Sequence, residues 1–239
     1  MIEISSKDIH SGPKMLVVGV GGGGNNAVMR MQELKTDKLN FAAFNTDLMV
    51  LERCNVPITL QLGEHLTGGY GAGGDPTIGE ASANESEESI QAILSDYNMI
   101  ILTCGMGGGT GTGAAPIIAR IARDLGILTV GVITMPFAFE GTPRLLAAQK
   151  GVEKLKENID TLLIIPNDKL VSISAKPLSL DEGFLMADSV LRHTIESITN
   201  IVYNCGTVNI DFNDLKTTLK DKGVGHLGII PVQKSRTNF

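Results

Sequence analysis

Residues 107–113 have the sequence Gly-Gly-Gly-Thr-Gly-Thr-Gly, five glycines and two threonines in a row. Glycine loses the most conformational entropy in helices and strands, so we expect this run to form a loop rather than a packed element. It follows residues 99–103, which have the apolar character of a buried strand, and precedes a predicted helix over residues 117–125. A glycine loop in that position offers free backbone N–H groups and a positive helix end, and both favour a phosphate.

A second glycine-rich segment follows the first predicted strand, residues 15–18. Residues 19–24 satisfy the pattern G-x-G-x-x-G, and a helix is expected to begin at Asn25. Asp47 lies about 20 residues further on, at the end of the second predicted strand, where dinucleotide-binding folds keep an acid for the ribose. On these residues alone, an NAD-dependent oxidoreductase is one candidate function, and a simple tight turn is the alternative without function.

The two glycine loops together favour a polyphosphate held from both sides, because a dinucleotide-binding fold needs only one such loop. The pattern G-x-x-x-x-G-K-[ST] does not occur in the sequence, and neither glycine loop supplies a lysine. The phosphate charge would therefore be offset by N–H donors, a helix dipole and a metal ion.

Apolar strands alternate with helices along most of the chain. This alternation predicts an α/β fold with a doubly wound, mainly parallel sheet and helices on both faces. Right-handed crossovers place the loops that follow the strands on one edge of the sheet, where ligands bind. Residues 178–203 form the longest periodic segment and predict an amphipathic helix that crosses the domain. Further strands are expected at 41–44, 58–62, 128–134 and 161–165, and further helices at 80–95, 143–158 and 215–222.

The composition excludes several functional classes. A net charge of −6 and a pI near 5.2 disfavour binding to nucleic acid, which needs a basic surface. The three cysteines match no metal-binding spacing, so no protein metal site is predicted. The apolar runs are shorter than the ~18–20 residues of a membrane helix, and we expect a soluble, cytoplasmic protein that does not insert into membranes.

The order of these motifs resembles the FtsZ family of bacterial tubulin-like cell-division GTPases. The glycine-threonine run is the signature of that family and is far more specific than a lone G-x-G-x-x-G. The resemblance implies a tubulin-like GTPase domain followed by a long central helix. Its motifs are carried by residues 21–26, 45–47, 71–73, 107–113, 136–137, 139–141, 144, 165–170, 184, 187–188 and 209–214.

The resemblance implies GTP or GDP as the ligand, with Mg²⁺ neutralising phosphate charge. The glycine-threonine run would wrap the phosphates, and the segment from Gly71 to Gly74 would approach the γ-phosphate end. Phe184 and Asp188 share a helix face and would recognise guanine. The implied nucleotide-binding residues are Gly22, Gly23, Gly24, Asn25, Asn26, Asn45, Asp47, Gly71, Ala72, Gly73, Gly107, Gly108, Gly109, Thr110, Gly111, Thr112, Gly113, Glu140, Arg144, Asn167, Phe184 and Asp188.

The resemblance also implies three catalytic residues beyond the long helix, namely Asn209, Asp211 and Asp214. In this family, that loop enters the nucleotide pocket of the next subunit, so hydrolysis is completed only in a head-to-tail homopolymer. Asp211 and Asp214 would orient the attacking water. The alternative for Asp214 is an N-cap of the following helix, and both roles could hold together.

The resemblance fades after Gly228, where family members continue into a C-terminal domain and a tail that binds division adaptors. We therefore expect a flexible arm at 1–13, a GTP-binding domain at 14–177, the central helix at 178–203, and the catalytic loop, a short helix and a truncated second domain at 204–239. Such a chain is expected to bind nucleotide but to assemble poorly. Besides a filament-forming GTPase at the division site, an NAD-dependent oxidoreductase and a non-catalytic nucleotide-binding regulator remain alternatives.

Overall fold

A computed structural model describes residues 13–32, 39–172, 179–203 and 212–225. Among these residues, seven strands form one sheet in which every neighbouring pair is parallel. The strands are β1 (Met15–Val20), β2 (Leu39–Asn45), β3 (Ile58–Gln61), β4 (Met99–Gly105), β5 (Leu128–Met135), β6 (Thr161–Pro166) and β7 (Gly223–Gly225). Their order across the sheet is β3-β2-β1-β4-β5-β6-β7, so the doubly wound parallel sheet predicted from the sequence is confirmed.

Helices follow the strands, as the alternation predicts. A short 3-10 turn, Ala138–Glu140, follows β5. None of the helices in the described ranges is both long and apolar enough to cross a membrane. The helices are α1 (Gly21–Gln32), α2 (Leu48–Glu52), α3 (Glu64–Thr67), α4 (Pro76–Glu85), α5 (Glu87–Leu94), α6 (Thr110–Asp124), α7 (Thr142–Lys156), α8 (Asn167–Ser172), α9 (Leu180–Tyr203) and α10 (Phe212–Leu219).

The central strands are apolar along their whole length because helices cover both faces of the sheet. All six residues of β1 are buried. Leu16 and Val18 point into a core formed with α4, α5, α6 and α7. Met15 and Val17 point to the opposite face, into a core formed with α1, α9 and α10. Alternate residues of one strand therefore stabilise two separate layers of helices.

Along the chain, β1 to β3 extend the sheet toward one side and β4 to β7 extend it toward the other. Strands β1 and β4 lie side by side at the point where this change occurs. The helix that follows β1 packs on one face of the sheet, and the helix that follows β4 packs on the other. The two connections therefore diverge and leave a crevice at the carboxyl ends of these strands, which is where α/β proteins bind ligands.

The expectation that residues 107–113 form a loop is wrong for the second half of the run. Helix α6 begins at Thr110, and Gly111 and Gly113 are buried within its first turn. A Cβ atom at Gly113 would collide with the carbonyl oxygen of Pro76 and would lie 2.6 Å from the backbone nitrogen of Glu80. Glycine at this position therefore lets helices α4 and α6 approach until their backbones touch.

The first glycine segment is also shorter than predicted. Strand β1 continues through Val20, and α1 begins at Gly21, so residues 19–24 are mostly strand and helix. Within α1, a Cβ at Gly24 would collide with the carbonyl oxygen of Thr103 in β4. Here glycine again serves the close approach of a helix to the sheet. The predicted helix at 80–95 is divided at Ser86 into α4 and α5.

Candidate functional site

A cavity of about 490 Å³ opens in the crevice between β1 and β4. Helices α1 and α6 both begin at its wall, and residues of α7, α8 and α9 close its other sides. The cavity thus collects residues that are widely separated in the sequence. Its lining includes twelve of the predicted nucleotide-binding residues: Gly22, Gly23, Asn26, Gly108, Gly109, Thr110, Gly111, Glu140, Arg144, Asn167, Phe184 and Asp188.

One end of the cavity is built from the N-termini of α1 and α6. Two helix N-termini that face one cavity supply unpaired backbone N–H groups and two positive dipole ends. A Cβ at Gly22 or at Gly108 would meet no atom within 4 Å. These two glycines are therefore not required for packing, and they leave room for a group that lies against the backbone. The geometry of this end suits a phosphate chain.

The opposite end of the cavity presents two oxygen acceptors, one buried and one half-buried. Asn167 is 4% exposed, and its side-chain oxygen has no hydrogen-bond partner in the described part of the chain. Asp188 lies on α9 and forms an ion pair with Arg30 of α1. Burial raises the pKa of the Asp188 carboxyl above its ordinary value, and Arg30 counteracts that increase only in part. An unsatisfied buried acceptor in a cavity wall indicates a ligand with N–H donors.

Three phenylalanine rings pack together beside these acceptors. The buried ring of Phe137 is stacked on Phe139, with ring centres 4.9 Å apart. It also meets the edge of Phe184, with ring centres 5.1 Å apart. Phe184 is 43% exposed and lines the cavity, so one ring face remains available for a flat ligand.

Glu140 holds the connection between β5 and α7 in place. One of its oxygens accepts a hydrogen bond from the backbone nitrogen of Phe137 at 2.9 Å. The other oxygen forms an ion pair with Arg144 at 2.6 Å. Glu140 therefore positions Arg144 at the cavity wall and at the same time fixes the turn that carries the phenylalanine rings.

Seven of the predicted binding residues lie outside the cavity lining and support its walls. In the orientation that its neighbours require, the buried Asn25 amide donates to the carbonyl oxygen of Gly19 and accepts from Asn45 at 3.1 Å. Asp47 caps helix α2 and accepts from the backbone nitrogen of Val50. The other four are Gly24 and Gly113, which allow close packing, and Gly107 and Thr112, which bond each other at 2.8 Å.

The segment Gly71, Ala72 and Gly73 borders the cavity without lining it. The backbone nitrogen of Gly71 donates to the carbonyl oxygen of Thr46 at 3.2 Å. Ala72 is buried beside Gly109, the residue that precedes α6. Gly71 and Gly73 have positive φ angles of 84° and 58°, which few other residues adopt without strain. The segment therefore lies next to the N-terminus of α6, at the end of the cavity built from helix N-termini.

The predicted catalytic residues are distant from this cavity or outside the described residues. Asn209 and Asp211 lie outside them. Asp214 is exposed in the first turn of α10, which begins at Phe212, so its prediction as an N-cap is wrong. Lys216 of the same helix donates to the carbonyl oxygen of Gly126, just before β5 begins. Helix α10 thus lies near the start of β5, whereas Thr134 and Met135 at the end of that strand line the cavity. Because β5 has eight residues, Asp214 and the cavity are separated by roughly 20–26 Å.

Two polar residues at the site, one in the cavity wall and one behind it, were not predicted from the sequence as binding residues. Arg30 lines it from α1 and reaches Asp188 across the gap. Thr46 is fully buried behind Thr110, with the two hydroxyl oxygens 2.7 Å apart. Arg30 belongs to no motif, and Thr46 belongs to the motif at 45–47 without a predicted binding role, so the folded arrangement is what reveals both.

No group of three or more histidine, cysteine, aspartate or glutamate side chains that could hold a metal occurs in the described ranges. The two carboxylates that line the cavity, Glu140 and Asp188, are already paired with arginines. Magnesium ions in nucleotide sites usually take most of their ligands from water and phosphate oxygens. The residues present therefore fit an ion that arrives with the phosphates, and not one held in a protein cage.

Comparisons with known proteins agree with this geometry. Residues 14–175 match the sequence model of the family described as "Tubulin/FtsZ family, GTPase domain". A "Cell division protein FtsZ" of Wigglesworthia glossinidia brevipalpis is 45% identical over 212 residues, which cover 89% of this chain and 55% of that protein. The structure "FtsZ dimer, empty" from M. jannaschii has a TM-score of 0.86 and 41% identity, and the match covers 90% of this chain and 62% of that one.

A more distant likeness shows the fold alone. CetZ2 from Haloferax volcanii, described as a GTPgS bound protofilament, has a TM-score of 0.75 at 23% identity and covers 88% of this chain and 64% of that one. The chain described here spans about half the length of the FtsZ relative that it matches. The match to the family extends from β1 to the start of the segment that precedes α9, and it includes both glycine segments. The chain therefore belongs to the tubulin/FtsZ family.

Proposed function

We propose that the chain binds GTP and GDP in the cavity between β1 and β4. The observation that carries this proposal is the polarity of the cavity, which has two helix N-termini at one end and, at the other, the buried Asn167 oxygen and the half-buried Asp188 carboxylate. A nucleoside di- or triphosphate has the complementary polarity, with an anionic chain at one end and a base at the other. Arg144 lines the cavity and would contact the ribose and the neighbouring phosphate.

The two acceptors favour guanine over adenine. Guanine offers N1–H and an exocyclic amine side by side, and the Asp188 carboxylate could accept from both. Adenine has an acceptor at N1, which would face the Asp188 carboxylate with no hydrogen to share between the two acceptors. The exposed face of Phe184 would pack on the base. The Mg²⁺ that this family implies would be held by phosphate oxygens and water and would supply charge neutralisation there.

Asp47 argues against the NAD-dependent alternative. A dinucleotide-binding fold needs that acid on the ribose, but here its side chain caps α2 and does not line the cavity. Titration calorimetry with GDP, ADP and NAD tests the proposed function directly. We expect micromolar or tighter binding of GDP, and at least 100-fold weaker binding of ADP and NAD, as buried unpaired polar groups require. Equal affinity for ADP, or preference for NAD, would overturn the proposal.

Asp188 also predicts a pH dependence. Its pKa is raised in the free chain by burial. Since guanine N–H groups would bind the ionised carboxylate, GDP should lower that pKa and should release a proton as the pH approaches the raised value. NMR titration of the carboxyl carbon should place the midpoint of Asp188 above 3.8 in the free chain and lower it when GDP saturates.

The variant Arg30→Met provides the control for this titration. The Arg30 guanidinium lowers the Asp188 pKa, so its removal should raise the midpoint further in the free chain. An Asp188 midpoint that is ordinary in the free chain, or that does not move with GDP, would contradict the assignment of this carboxyl to guanine.

We further propose that the chain is a cytoskeletal GTPase of cell division that assembles head to tail, and that the segment with Asn209, Asp211 and Asp214 completes hydrolysis in the next subunit. The relative described as a dimer supports self-association. The exposure of Asp214 and its distance from the chain's own cavity are consistent with action on a second copy. Division adaptors would bind outside the residues that match the family, and the site of action would be the cytoplasmic division ring.

The variants Asp214→Asn and Asp221→Asn test this catalytic role as a matched pair of exposed aspartates near one edge of the sheet. Wild-type phosphate release should rise more steeply than linearly with protein concentration, because two copies form each active site. Asp214→Asn should lower turnover about 100-fold without weakening GDP binding, and Asp221→Asn should change neither. Equal turnover in Asp214→Asn and the wild type would exclude the catalytic role.

A further inference from the structure

Thr46 lies at the end of β2, behind the wall of the cavity, and does not itself line it. Its side chain is fully buried, and its hydroxyl oxygen is 2.7 Å from the hydroxyl oxygen of Thr110. Its carbonyl oxygen accepts from the backbone nitrogen of Gly71 at 3.2 Å and from the Thr67 hydroxyl at 3.3 Å. One residue therefore contacts both the N-terminus of α6 and the segment that borders it.

In the free chain, either the Thr46 hydroxyl or the Thr110 hydroxyl could donate the hydrogen bond between them. A phosphate oxygen can only accept hydrogen bonds. Thr110 lines the cavity and has a single hydroxyl proton, so it can bind a phosphate only by donating that proton to it. The Thr110 hydroxyl oxygen can then only accept a hydrogen bond from its other neighbour, and the Thr46 hydroxyl is placed to donate it. Phosphate binding would fix the direction from Thr46 to Thr110 to phosphate.

The carbonyl of Thr46 connects this bond to the segment that begins at Gly71. The backbone nitrogen of Leu48 donates to the carbonyl of Gly69 at 3.0 Å, so Thr46 and the residues that follow it are bonded to residues 67–71. Beyond Gly71, the next backbone bond joins Asp75 to Ala72 at 2.9 Å, which closes a short turn. A shift of Thr46 would therefore move the first residue of that turn.

We infer that Thr46 is a positioning residue for nucleotide binding, which orients the Thr110 hydroxyl toward a phosphate and anchors the Gly71–Asp75 turn beside it. The inference rests on the proposed function, since it requires a nucleotide phosphate at the N-terminus of α6. Thr46 does not touch the ligand. It acts through Thr110 on one side and through the Gly71 backbone on the other.

The test compares four chains: the wild type, Thr46→Val, Thr46→Ser and Thr103→Val. Valine has the shape of threonine without the hydroxyl, and serine keeps the hydroxyl. Thr103 is a matched control because it is also fully buried at a strand end, but its hydroxyl has no partner among the described residues. Thr46→Val should weaken the binding of both GDP and GTP about five- to tenfold, the effect of one hydrogen bond. Thr46→Ser should bind within about twofold of the wild type, and Thr103→Val should bind like the wild type.

Hydrogen exchange of amides 71–75 supplies a readout that a loss of stability alone would not change. Nucleotide should slow exchange there in the wild type and in Thr46→Ser, and much less in Thr46→Val. The double variant with Thr110→Ala should bind no more weakly than Thr110→Ala alone, because the two hydroxyls act as a unit. If Thr46→Val does not fold, Thr46→Ala takes its place in both measurements, because alanine also lacks the hydroxyl and adds no volume.

The outcomes separate the inference from the function on which it rests. Thr46→Val with wild-type affinity, or Thr103→Val weakened to the same degree, would overturn the role of Thr46 while leaving the nucleotide site intact. A wild-type chain that bound neither GDP nor GTP would overturn the proposed function itself.

Discussion

Replacing Asp188 with asparagine is expected to weaken GDP binding by about 100- to 1,000-fold and to abolish the preference for GDP over ADP. The physical reason is the loss of two hydrogen bonds to a charged acceptor, each of which contributes about 1.5–3 kcal/mol. The asparagine amide can still accept one bond, but it also presents a donor to the donor edge of guanine. Titration calorimetry with both nucleotides measures the effect.

The free chain should not lose stability in the Asp188→Asn variant. Because burial raises the Asp188 pKa, ionising this carboxyl makes the folded state less stable as the pH rises through that window. The Arg30 partner is 45% exposed and can remain hydrated. Asp181→Asn, an exposed change on the same helix, is the matched control and should bind GDP normally. Unchanged GDP affinity in Asp188→Asn would show that the Asp188 carboxylate on α9 does not bind the guanine base.

Gly113→Ala is expected to lower the free energy of unfolding by about 3 kcal/mol or more. The new methyl group would collide with the carbonyl oxygen of Pro76, and backbone atoms cannot rotate away as a side chain can. Helices α4 and α6 would have to separate, which would open the core on that face of the sheet. Urea denaturation followed by circular dichroism gives the free energy.

Gly108→Ala, in the same glycine run, should leave the stability nearly unchanged and weaken GDP binding. Its Cβ would meet no protein atom within 4 Å, so stability should stay within about 0.5 kcal/mol of the wild type. The methyl group would instead point into space reserved for the ligand and weaken GDP binding. If Gly113→Ala proved as stable as Gly108→Ala, the close approach of α4 and α6 would not require glycine at position 113.

The contrast between these two glycines shows what the sequence could and could not predict. The end of the strand before the run and the end of the helix after it were predicted to within two residues, because apolar runs and helical periodicity are local properties. The expectation that the whole run forms a loop rested on the cost of glycine in a helix. That cost is about 1 kcal/mol per residue and is outweighed where only glycine lets two helices touch. The helix α4 that requires this contact lies some thirty residues away, beyond the reach of a local pattern.

The same distinction applies to the candidate site. Twelve predicted binding residues line one cavity, and their proposed roles stay predictions. Asn25 and Asn45 belong to the same motifs but bond each other behind the wall, because small amides can satisfy strand ends as readily as a ligand. Arg30 belongs to no motif, and the motif at 45–47 assigns Thr46 no role. Their positions follow from how β2, α1, α6 and α9 pack, which depends on the whole fold.

The parallel sheet gives this chain a direction, because its two ends are different. All seven described strands run in the same direction, so the edge of the sheet that bears the cavity and the edge that bears α10 are chemically different surfaces. Copies stacked by joining unlike edges cannot be turned end for end without changing every contact. Any such fibre would have two distinguishable tips, one showing an open cavity and the other showing α10. Addition and loss of subunits at those tips would then have unequal rate constants wherever occupancy of the cavity alters the contact.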